Sequence, residues 1–353
     1  MNTEVLMFSD LHIRGSKHRQ VLIDSFNWVC EMIIEHSPRL VVMLGDTFHA
    51  YTSIEIPDLA LAFDAYGDFA SACEIVGAEL IVLVGNHDQY SQDGEVHSMG
   101  FFNLVASKHN AVVNREEIVR QVGSTSVAFL GYVPSAPAWI FPDADVLFTH
   151  CPISGIDATF KDSHDWPKEA FSGFRKVFMG HYHDPSPDGK FVVVGSLTAQ
   201  SFGDAPDLDR GIVLWDGKDQ IKRVSNPHSP FYVTVDISSI DPGVSFDGVL
   251  SNPPFVGSYF DPDAHPNPGT TRTHVRVKCR EDQIGHILED LGDRYASVQI
   301  IPHAEEQVIE RSAISVEMPV EQAVVEYAEQ ACPEGLDSEK LGAAGVAFVR
   351  GKE

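Results

Sequence analysis

The sequence predicts an α/β (α+β layered) fold, followed by a small C-terminal α/β unit. Over the first 200 of the 353 residues, short apolar runs alternate with amphipathic stretches, the pattern of sheets covered by helices. Pro, Asp and Gly then crowd residues 252–254 and 261–269, as in a loop or linker. A strand–helix–strand pattern follows at 274–301.

The N-terminal part contains two predicted helices between predicted strands. In the first helix, apolar residues from Leu22 to Ile33 recur at intervals of four and three and so share one face. The second helix is predicted at about Pro57–Val76. The predicted strands are the apolar runs Val5–Phe8, Leu40–Leu44, Leu80–Val84, Val127–Leu130, Val146–Thr149, Val177–Met179 and Phe191–Val194.

The C-terminal part begins near Ser225. Its predicted elements are a strand, a helix, a second strand and a last amphipathic helix, at His274–Cys279, Glu281–Gly292, Ser297–Ile301 and Pro319–Ala331. Pro319 suits the first turn of that last helix. We therefore expect three parts, at 1–224, 225–317 and 318–353.

Cysteine usage and hydropathy indicate a reducing, cytoplasmic setting. The five cysteines are scattered and never spaced as C-x-x-C, which argues against a disulfide framework or a structural zinc site. No stretch approaches the roughly 18–20 apolar residues of a membrane span. The N-terminus shows no secretory pattern. We expect a cytoplasmic protein without a membrane partner.

Five polar clusters each follow a predicted strand. Because ligand sites of open α/β sheets form beyond the carboxyl ends of strands, these clusters are expected to converge. One Asp-x-His or Gly-Asp alone is more often a turn or a helix cap, but all five in this order favour a site. The clusters are Ser9–Asp10–Leu11–His12, Gly45–Asp46, Gly85–Asn86–His87–Asp88, His150 and Gly180–His181–Tyr182–His183.

The chemistry of these clusters is typical of a metal site. Carboxylate, amide and imidazole ligands without thiolate suit manganese, iron or zinc better than calcium. Seven such ligands hold two ions if one carboxylate bridges, and Asp46 is the natural bridge. Two cations can grip a phosphate and activate water. His87 stands beside Asn86 without being needed as a ligand, so it is a candidate general acid.

This order of motifs resembles the calcineurin-like metallophosphoesterase superfamily over about residues 4–215. The resemblance implies a sandwich of two mixed β-sheets flanked by helices, with His87 as catalytic acid. Asp88 is expected to support the ligands without binding an ion. The resemblance further implies that one ion is held by Asp10, His12, Asp46 and His183, and the other by Asp46, Asn86, His150 and His181.

Two further motifs resemble the SbcD-type nucleases, which pair with SbcC-type ATPases. Gly45–Asp46–Thr47–Phe48–His49 matches G-D-x-F-H. The match implies that His49 lies near the metals and orients the substrate; the alternative is a histidine that packs beneath the site. The segment 195–204, followed by Asp209–Arg210–Gly211, is similar to the family's G-S-x-x-x-S-F-G-E segment. It either packs as a turn or contacts substrate.

The resemblance implies a manganese-dependent DNA exo/endonuclease with two metal ions, acting in DNA end processing, repair or recombination. It implies that 225–317 caps the site and recognises DNA, that the helix region at 318–353 docks an SbcC-like ATPase, and that the chain forms a homodimer. The length resembles bacterial or phage members, and we favour a phage origin.

The net charge complicates this hypothesis. The chain has 25 Lys and Arg against 51 Asp and Glu, a formal charge of −26, whereas a protein that binds duplex DNA alone usually presents a basic face. Either a few basic residues and metal ions meet the phosphates locally, or a partner supplies most of the affinity for DNA.

Two other functions stay open. One is a small-molecule or cyclic-nucleotide phosphodiesterase of the same superfamily, against which the G-D-x-F-H motif and the C-terminal part argue. The other is a non-catalytic scaffold that kept the fold, against which the complete set of ligands and the acid argue.

Overall fold

The first sheet of the structure has six strands in the order β11-β10-β1-β2-β3-β4. β1 to β4 run parallel, and β10 and β11 pair antiparallel beside β1. The strands are β1 (Val5–Phe8), β2 (Leu40–Met43), β3 (Glu79–Leu83), β4 (Asn110–Val113), β10 (Gly211–Trp215) and β11 (Ile221–Ser225). β1 and β2 are continuous apolar runs because both faces of the sheet are covered.

The computed structural model describes most of the chain. The described residues are 3–15, 19–50, 52–91, 94–104, 110–115, 118–135, 141–156, 165–186, 189–204, 210–238, 273–285, 287, 296–302, 320–331 and 337–350.

Two helices, α1 (Arg19–His36) and α2 (Ile56–Val76), cover the outer face of this sheet. α2 begins with a Pro in its first turn and ends at Gly77, whose φ of 74° suits the left-handed C-cap. Alternate strand residues face the helices: Phe8, for example, packs edge-on against Phe69 with ring centroids 5.3 Å apart.

The second sheet packs on the inner face of the first. Its order is β5-β6-β7-β8-β9, and all neighbours are parallel except the antiparallel pair β5–β6. Val5 and Met7 of the first sheet meet Phe129, Phe148 and Phe178 of the second in one apolar core. The strands are β5 (Ile118–Val122), β6 (Thr125–Leu130), β7 (Val146–Thr149), β8 (Lys176–Met179) and β9 (Phe191–Val193).

A third, smaller sheet lies in the C-terminal part. Its strands β12 (Phe231–Asp236), β13 (Thr273–Cys279) and β14 (Ser297–Pro302) are all parallel. Val235, Val275 and Val277 form its core. Two further helices, α3 (Val320–Ala331) and α4 (Ser338–Arg350), follow it.

The predicted layered fold, with a β-sandwich flanked by helices, is confirmed. The seven predicted strands are present, with small shifts of their ends, and so are the two N-terminal helices. Pro319–Ala331 is not the last helix, because α4 follows it. Of the predicted helix Glu281–Gly292, a 3-10 turn at Glu281–Gln283 and helical residues at 284, 285 and 287 are described.

The rest of that helix and the predicted linker at 252–254 and 261–269 lie outside the described residues. The third sheet falls within 225–317 and the last two helices within 318–353, and the division into three parts stays a prediction. Among the described helices, none combines the length and apolar character that a membrane crossing requires.

Candidate metal centre

The structure brings the polar clusters together at one edge of the sandwich. The parallel strands of each sheet end at this edge, so the residues that follow them converge there. Asp10 and His12 follow β1, Asp46 follows β2, and Asn86 and His87 follow β3 of the first sheet. His150 follows β7, and His181 and His183 follow β8 of the second sheet.

Four of these residues have left-handed backbone conformations. The φ angles are 53° at Asp10, 44° at His12, 57° at Asp46 and 74° at His181, and within the described part of the chain Ser37 alone among other non-glycine residues has a positive φ. Such conformations are costly and concentrate at functional sites. Backbone hydrogen bonds hold them, from Asp10 N to Gly45 O and from His12 N to Asp46 O, both 3.1 Å long.

Glycines permit the close approach of these loops. Gly85 lies against the carboxylate of Asp46, and any Cβ at this position would clash with it. Gly45 has a φ of 97°, and a Cβ there would lie 2.5 Å from His150 Nδ1. The glycines of the Gly-Asp and Gly-Asn-His-Asp motifs are therefore required by packing within the site.

A first group of donors consists of Asp10, His12 and His183. His12 Nε2 lies 2.9 Å from His183 Nε2 and 3.9 Å from Asp10 Oδ1. Asp10 is fully buried, and no described group donates a hydrogen bond to its Oδ1. The three side chains each offer an atom within 4.8 Å of the others, which is close enough to share one cation.

A second group consists of Asn86, His150 and His181. Asn86 Oδ1 lies 2.9 Å from His181 Nδ1 and 3.2 Å from His150 Nε2. The Nδ1–H of the buried His150 donates to the carbonyl of Leu44. That bond fixes the ring and directs Nε2 toward the group, as expected for an imidazole that binds a metal through Nε2.

Asp46 lies between the two groups. Its Oδ2 is 3.7 Å from His12 Nε2 and 3.3 Å from His150 Nε2. Its Oδ1 accepts a hydrogen bond from the backbone N–H of His87 at 2.9 Å. One carboxylate thus contacts a histidine of each group, the position that a bridging ligand requires.

The charges of the buried groups fit a cation site. Burial raises the pKa of Asp10 to about 6. Burial alone would lower the pKa of His150, but Asp46, Asp10 and the Leu44 carbonyl together outweigh burial and raise that pKa to about 9. Burial and the neighbouring His150 lower the pKa of His181 to about 4. Asp10 Oδ1, a buried carboxylate oxygen without a described hydrogen-bond donor, lies among other oxygen and imidazole ligands. A divalent cation bound there would satisfy it.

Asp204 orients His183, a role that the sequence did not reveal. His183 Nδ1 lies 3.4 Å from Asp204 Oδ1, while Asp204 Oδ2 accepts hydrogen bonds from the backbone N–H groups of Gln200 and Ser201. Burial would raise the pKa of Asp204, but the bond from His183 and the charge of Arg210 lower it to about 2. The S-F-G-D segment was the available signal, and the carboxylate–histidine pair is typical of metal sites.

The backbone of His87 contacts a proposed ligand, whereas its ring is held by a backbone carbonyl. Its backbone N–H donates to Asp46 Oδ1, and its Nδ1 donates to the backbone carbonyl of His49 at 2.6 Å. The ring is partly exposed and lies edge-on to His12, with centroids 4.9 Å apart. His87 therefore stands at the mouth of the site with its Nε2 edge turned from the His49 carbonyl.

His49 and Asp88 occupy opposite sides of this arrangement. His49 is exposed at the rim, stacked on His87 with ring centroids 5.8 Å apart, so it does not pack beneath the site. Asp88 is buried and accepts hydrogen bonds from the backbone N–H groups of Thr47, Phe48 and Gly85. It therefore joins the Gly-Asp motif to the Gly-Asn-His-Asp motif through these backbone N–H groups.

One family model matches the part of the chain that carries this site. The family model described as calcineurin-like phosphoesterase matches residues 3–185, which include the polar clusters through His183. The chain belongs to the calcineurin-like phosphoesterase family. Proteins of this family are metal-dependent phosphoester hydrolases, and they use divalent metal ions. No curated protein sequence matches the chain.

Solved structures show remote likeness. A Thermus thermophilus structure shares 10% identity at a TM-score of 0.39, over 63% of this chain and 97% of its own. A Pseudomonas putida nuclease shares 16% sequence identity at a TM-score of 0.28, over 54% of this chain and 68% of its own. A Mycoplasma pneumoniae phosphatase shares 13% identity at a TM-score of 0.31, over 54% of this chain and 71% of its own. At these TM-scores the likeness says nothing about the substrate.

Proposed function

We propose that the chain is a two-metal, manganese-dependent DNA exo/endonuclease that acts in DNA end processing, repair or recombination. The position of Asp46 carries this proposal. Its Oδ2 contacts His12 of one donor group and His150 of the other, so both groups can bind cations around one shared carboxylate. Asp10, His12, Asp46 and His183 would hold one ion, and Asp46, Asn86, His150 and His181 the other.

The protein's own residues then have distinct tasks. When bound, two divalent cations would supply positive charge for the phosphate and activation of water. The imidazolium of His87 would hold one proton at Nδ1, against the carbonyl of His49. Its Nε2–H would pass the other proton to the leaving oxygen as the P–O bond breaks. Asp204 and Leu44 would keep His183 and His150 aligned through their Nδ1 atoms.

DNA is the proposed substrate because of the rim and the neighbouring sheet. His49, of the Gly-Asp-Thr-Phe-His motif, lies exposed beside His87, as a residue that orients a substrate strand would. The third sheet adjoins the site, since Tyr232 of β12 packs against Phe202 with ring centroids 5.1 Å apart. A sheet beside the site offers more surface to a long substrate than a small cyclic nucleotide would use.

We further propose that the chain works as the nuclease subunit of an SbcCD-like complex. Its formal charge of −26 makes it a weak duplex binder by itself, and an SbcC-like ATPase would supply the missing affinity. A homodimer is proposed on the same resemblance.

The deciding experiment measures hydrolysis of single-stranded and linear duplex DNA, bis-p-nitrophenyl phosphate and cyclic nucleotides in manganese, with and without a co-encoded ATPase. We expect manganese-dependent cleavage of DNA that chelator abolishes and manganese restores. Asp46→Ala should be inactive. Cleavage of cyclic nucleotides but not DNA would establish the phosphodiesterase alternative, and no hydrolysis of any substrate would establish a scaffold. Full activity in excess chelator would exclude the two-metal mechanism.

A further inference from the structure

The rim of the metal centre carries a guanidinium that no carboxylate of the described residues neutralises. Arg14 Nη1 lies 3.2 Å from Nε2 of His49, and its Nη2 donates to the backbone carbonyl of Gln200 at 2.6 Å. Neither partner is acidic. By contrast, Arg120 and Arg210 pair with Glu79 and Asp184. Arg14 therefore keeps its positive charge at the rim of the site, in a chain with twice as many acidic as basic residues.

A buried hydroxyl without a partner lies close to this arginine. Tyr232 is only 7% exposed, and no described group forms a hydrogen bond with its hydroxyl. Its ring stacks on His274 with centroids 4.5 Å apart. Burial raises the pKa of Tyr232, the charge of Arg14 lowers it and the charge of Asp204 raises it, so Tyr232 is within electrostatic range of both groups. Leaving a buried hydroxyl unpaired costs stability, which a ligand oxygen would recover.

Both groups are linked to the proposed metal ligands through neighbouring residues. Arg14 contacts His49, whose ring centroid is 5.4 Å from that of His12. Arg14 also contacts the 200–204 loop through Gln200, and Tyr232 contacts the same loop through Phe202. A group bound between Arg14 and Tyr232 would therefore adjoin a phosphate at the metal centre.

We propose that Arg14 and Tyr232 form a subsite for the phosphate next to the scissile one in a nucleic acid strand. This inference rests on the proposed function, because it requires a substrate with more than one phosphate. Arg14 uses two of its five N–H groups in the contacts above and keeps others for phosphate oxygens. The hydroxyl of Tyr232 would donate one more bond. Such a subsite lets an acidic chain hold a polyanion locally.

The test compares kcat/KM for a single-stranded oligonucleotide with that for bis-p-nitrophenyl phosphate, which has one phosphate. Arg14→Gln should lower the ratio of the two values by about tenfold, the loss expected for a charged hydrogen bond. It should also reduce the slope of log KM against log salt by about one phosphate contact. Arg39→Gln is the matched control. Arg39 is a largely exposed arginine beside Glu4 at the opposite edge of the sheet, and its loss should leave the ratio unchanged.

Tyr232→Phe gives a second, independent readout. Because the hydroxyl has no described partner within the protein, its removal should not lower the unfolding temperature, yet it should lower the same kinetic ratio. Arg14→Gln should also lose its effect on an oligonucleotide whose phosphate beside the cleaved bond is a neutral methylphosphonate, as a double-mutant cycle requires.

Two outcomes would overturn the subsite while the nuclease stands. One is an equal loss on both substrates with Arg14→Gln, which would make Arg14 a support for His49. The other is an unchanged ratio in both variants. If the wild-type protein hydrolyses bis-p-nitrophenyl phosphate but no oligonucleotide, the proposed function falls and the subsite falls with it.

Discussion

At the scale of single residues, the hydrogen bonds of His87 give it a different role from the proposed metal ligands around it. Its partners are a carboxylate oxygen and a backbone carbonyl, so its loss removes no proposed ligand. We expect His87→Ala to bind two manganese ions and single-stranded DNA as the wild type does, while kcat falls by roughly 10²–10⁴-fold. Metal content by elemental analysis and single-turnover cleavage measure the two effects.

Two variants frame that measurement. Asp46→Ala should lose both ions and all activity, because its carboxylate contacts both donor groups. His36→Ala removes a histidine from the last turn of α1, just before β2 begins and so away from the site, and should match the wild type. A metal-free His87→Ala protein would show that His87 is a ligand.

The buried histidine His150 predicts how metal affinity depends on pH. In the metal-free protein its pKa is raised to about 9, so it carries a proton at pH 7, and a metal ligand must be neutral. Binding therefore releases this proton, and manganese affinity should rise about tenfold per pH unit between about pH 7 and 9. Below about pH 6 protonation of Asp10 should steepen the fall. Titration calorimetry measures this slope; a flat affinity from pH 7 to 9 would contradict it.

Single residues also show what the sequence alone can predict. All seven expected ligands converge, because each directly follows a strand whose apolar run is visible. The segment that contains Asp204 is visible in the sequence, but its pairing with His183 is not, because that contact joins two loops that are distant along the chain. The role of Arg14 is hidden for the same reason, because its contacts with His49 and Gln200 join segments that are distant along the chain.

At the scale of elements, the loop at 200–204 is the part whose role the structure adds. It positions Asp204 with two backbone N–H bonds, and Asp204 in turn contacts His183. We expect Asp204→Asn to weaken manganese binding about 10–100-fold, the usual effect of losing such a partner. Asp216→Asn is the matched comparison, since Asp216 also accepts two backbone N–H bonds, from Lys218 and Gln220, in the turn after β10 at the opposite edge of the sheet.

The matched readout for Asp204→Asn is activity at saturating manganese. If Asp204 only orients His183, high manganese should restore most of kcat. Unchanged manganese affinity would show that the loop is ordinary packing.

Several of the elements that the sequence did not predict have weak or misleading patterns, although β10 is a continuous buried apolar run. β5 and β11 are half-exposed edge strands that carry charged residues, Arg120 in one and Lys222 and Arg223 in the other. α4 contains Gly342, which disfavours a helix by propensity. The packing of α3 on α4 does not require this glycine, because a Cβ there would lie 3.5 Å from the Cβ of Ala328, an ordinary van der Waals contact.

At the scale of the whole molecule, the C-terminal helices are the proposed contact with the ATPase. α3 packs on α4 through Ala328 and leaves Tyr327 55% exposed. Deleting the chain after residue 318 should keep manganese-dependent cleavage of short single strands. It should abolish binding to an SbcC-like ATPase and ATP-stimulated digestion of long duplex. Tyr327→Asp offers a milder version. If the truncated chain co-purified undiminished with the ATPase, the docking role would be wrong, and these helices would only pack within the chain.

The metal centre also has a mechanical consequence for the molecule. Asp10, His12, Asp46 and Asn86 belong to loops of the first sheet, whereas His150, His181 and His183 belong to loops of the second. Bound cations would therefore link the first sheet to the second. Because only the folded chain assembles these ligands, manganese at about 100 times its dissociation constant should add about 2.7 kcal/mol to the free energy of unfolding. Calorimetric scans with manganese and with chelator measure this gain in stability. Asp46→Ala should unfold at the same temperature under the two conditions.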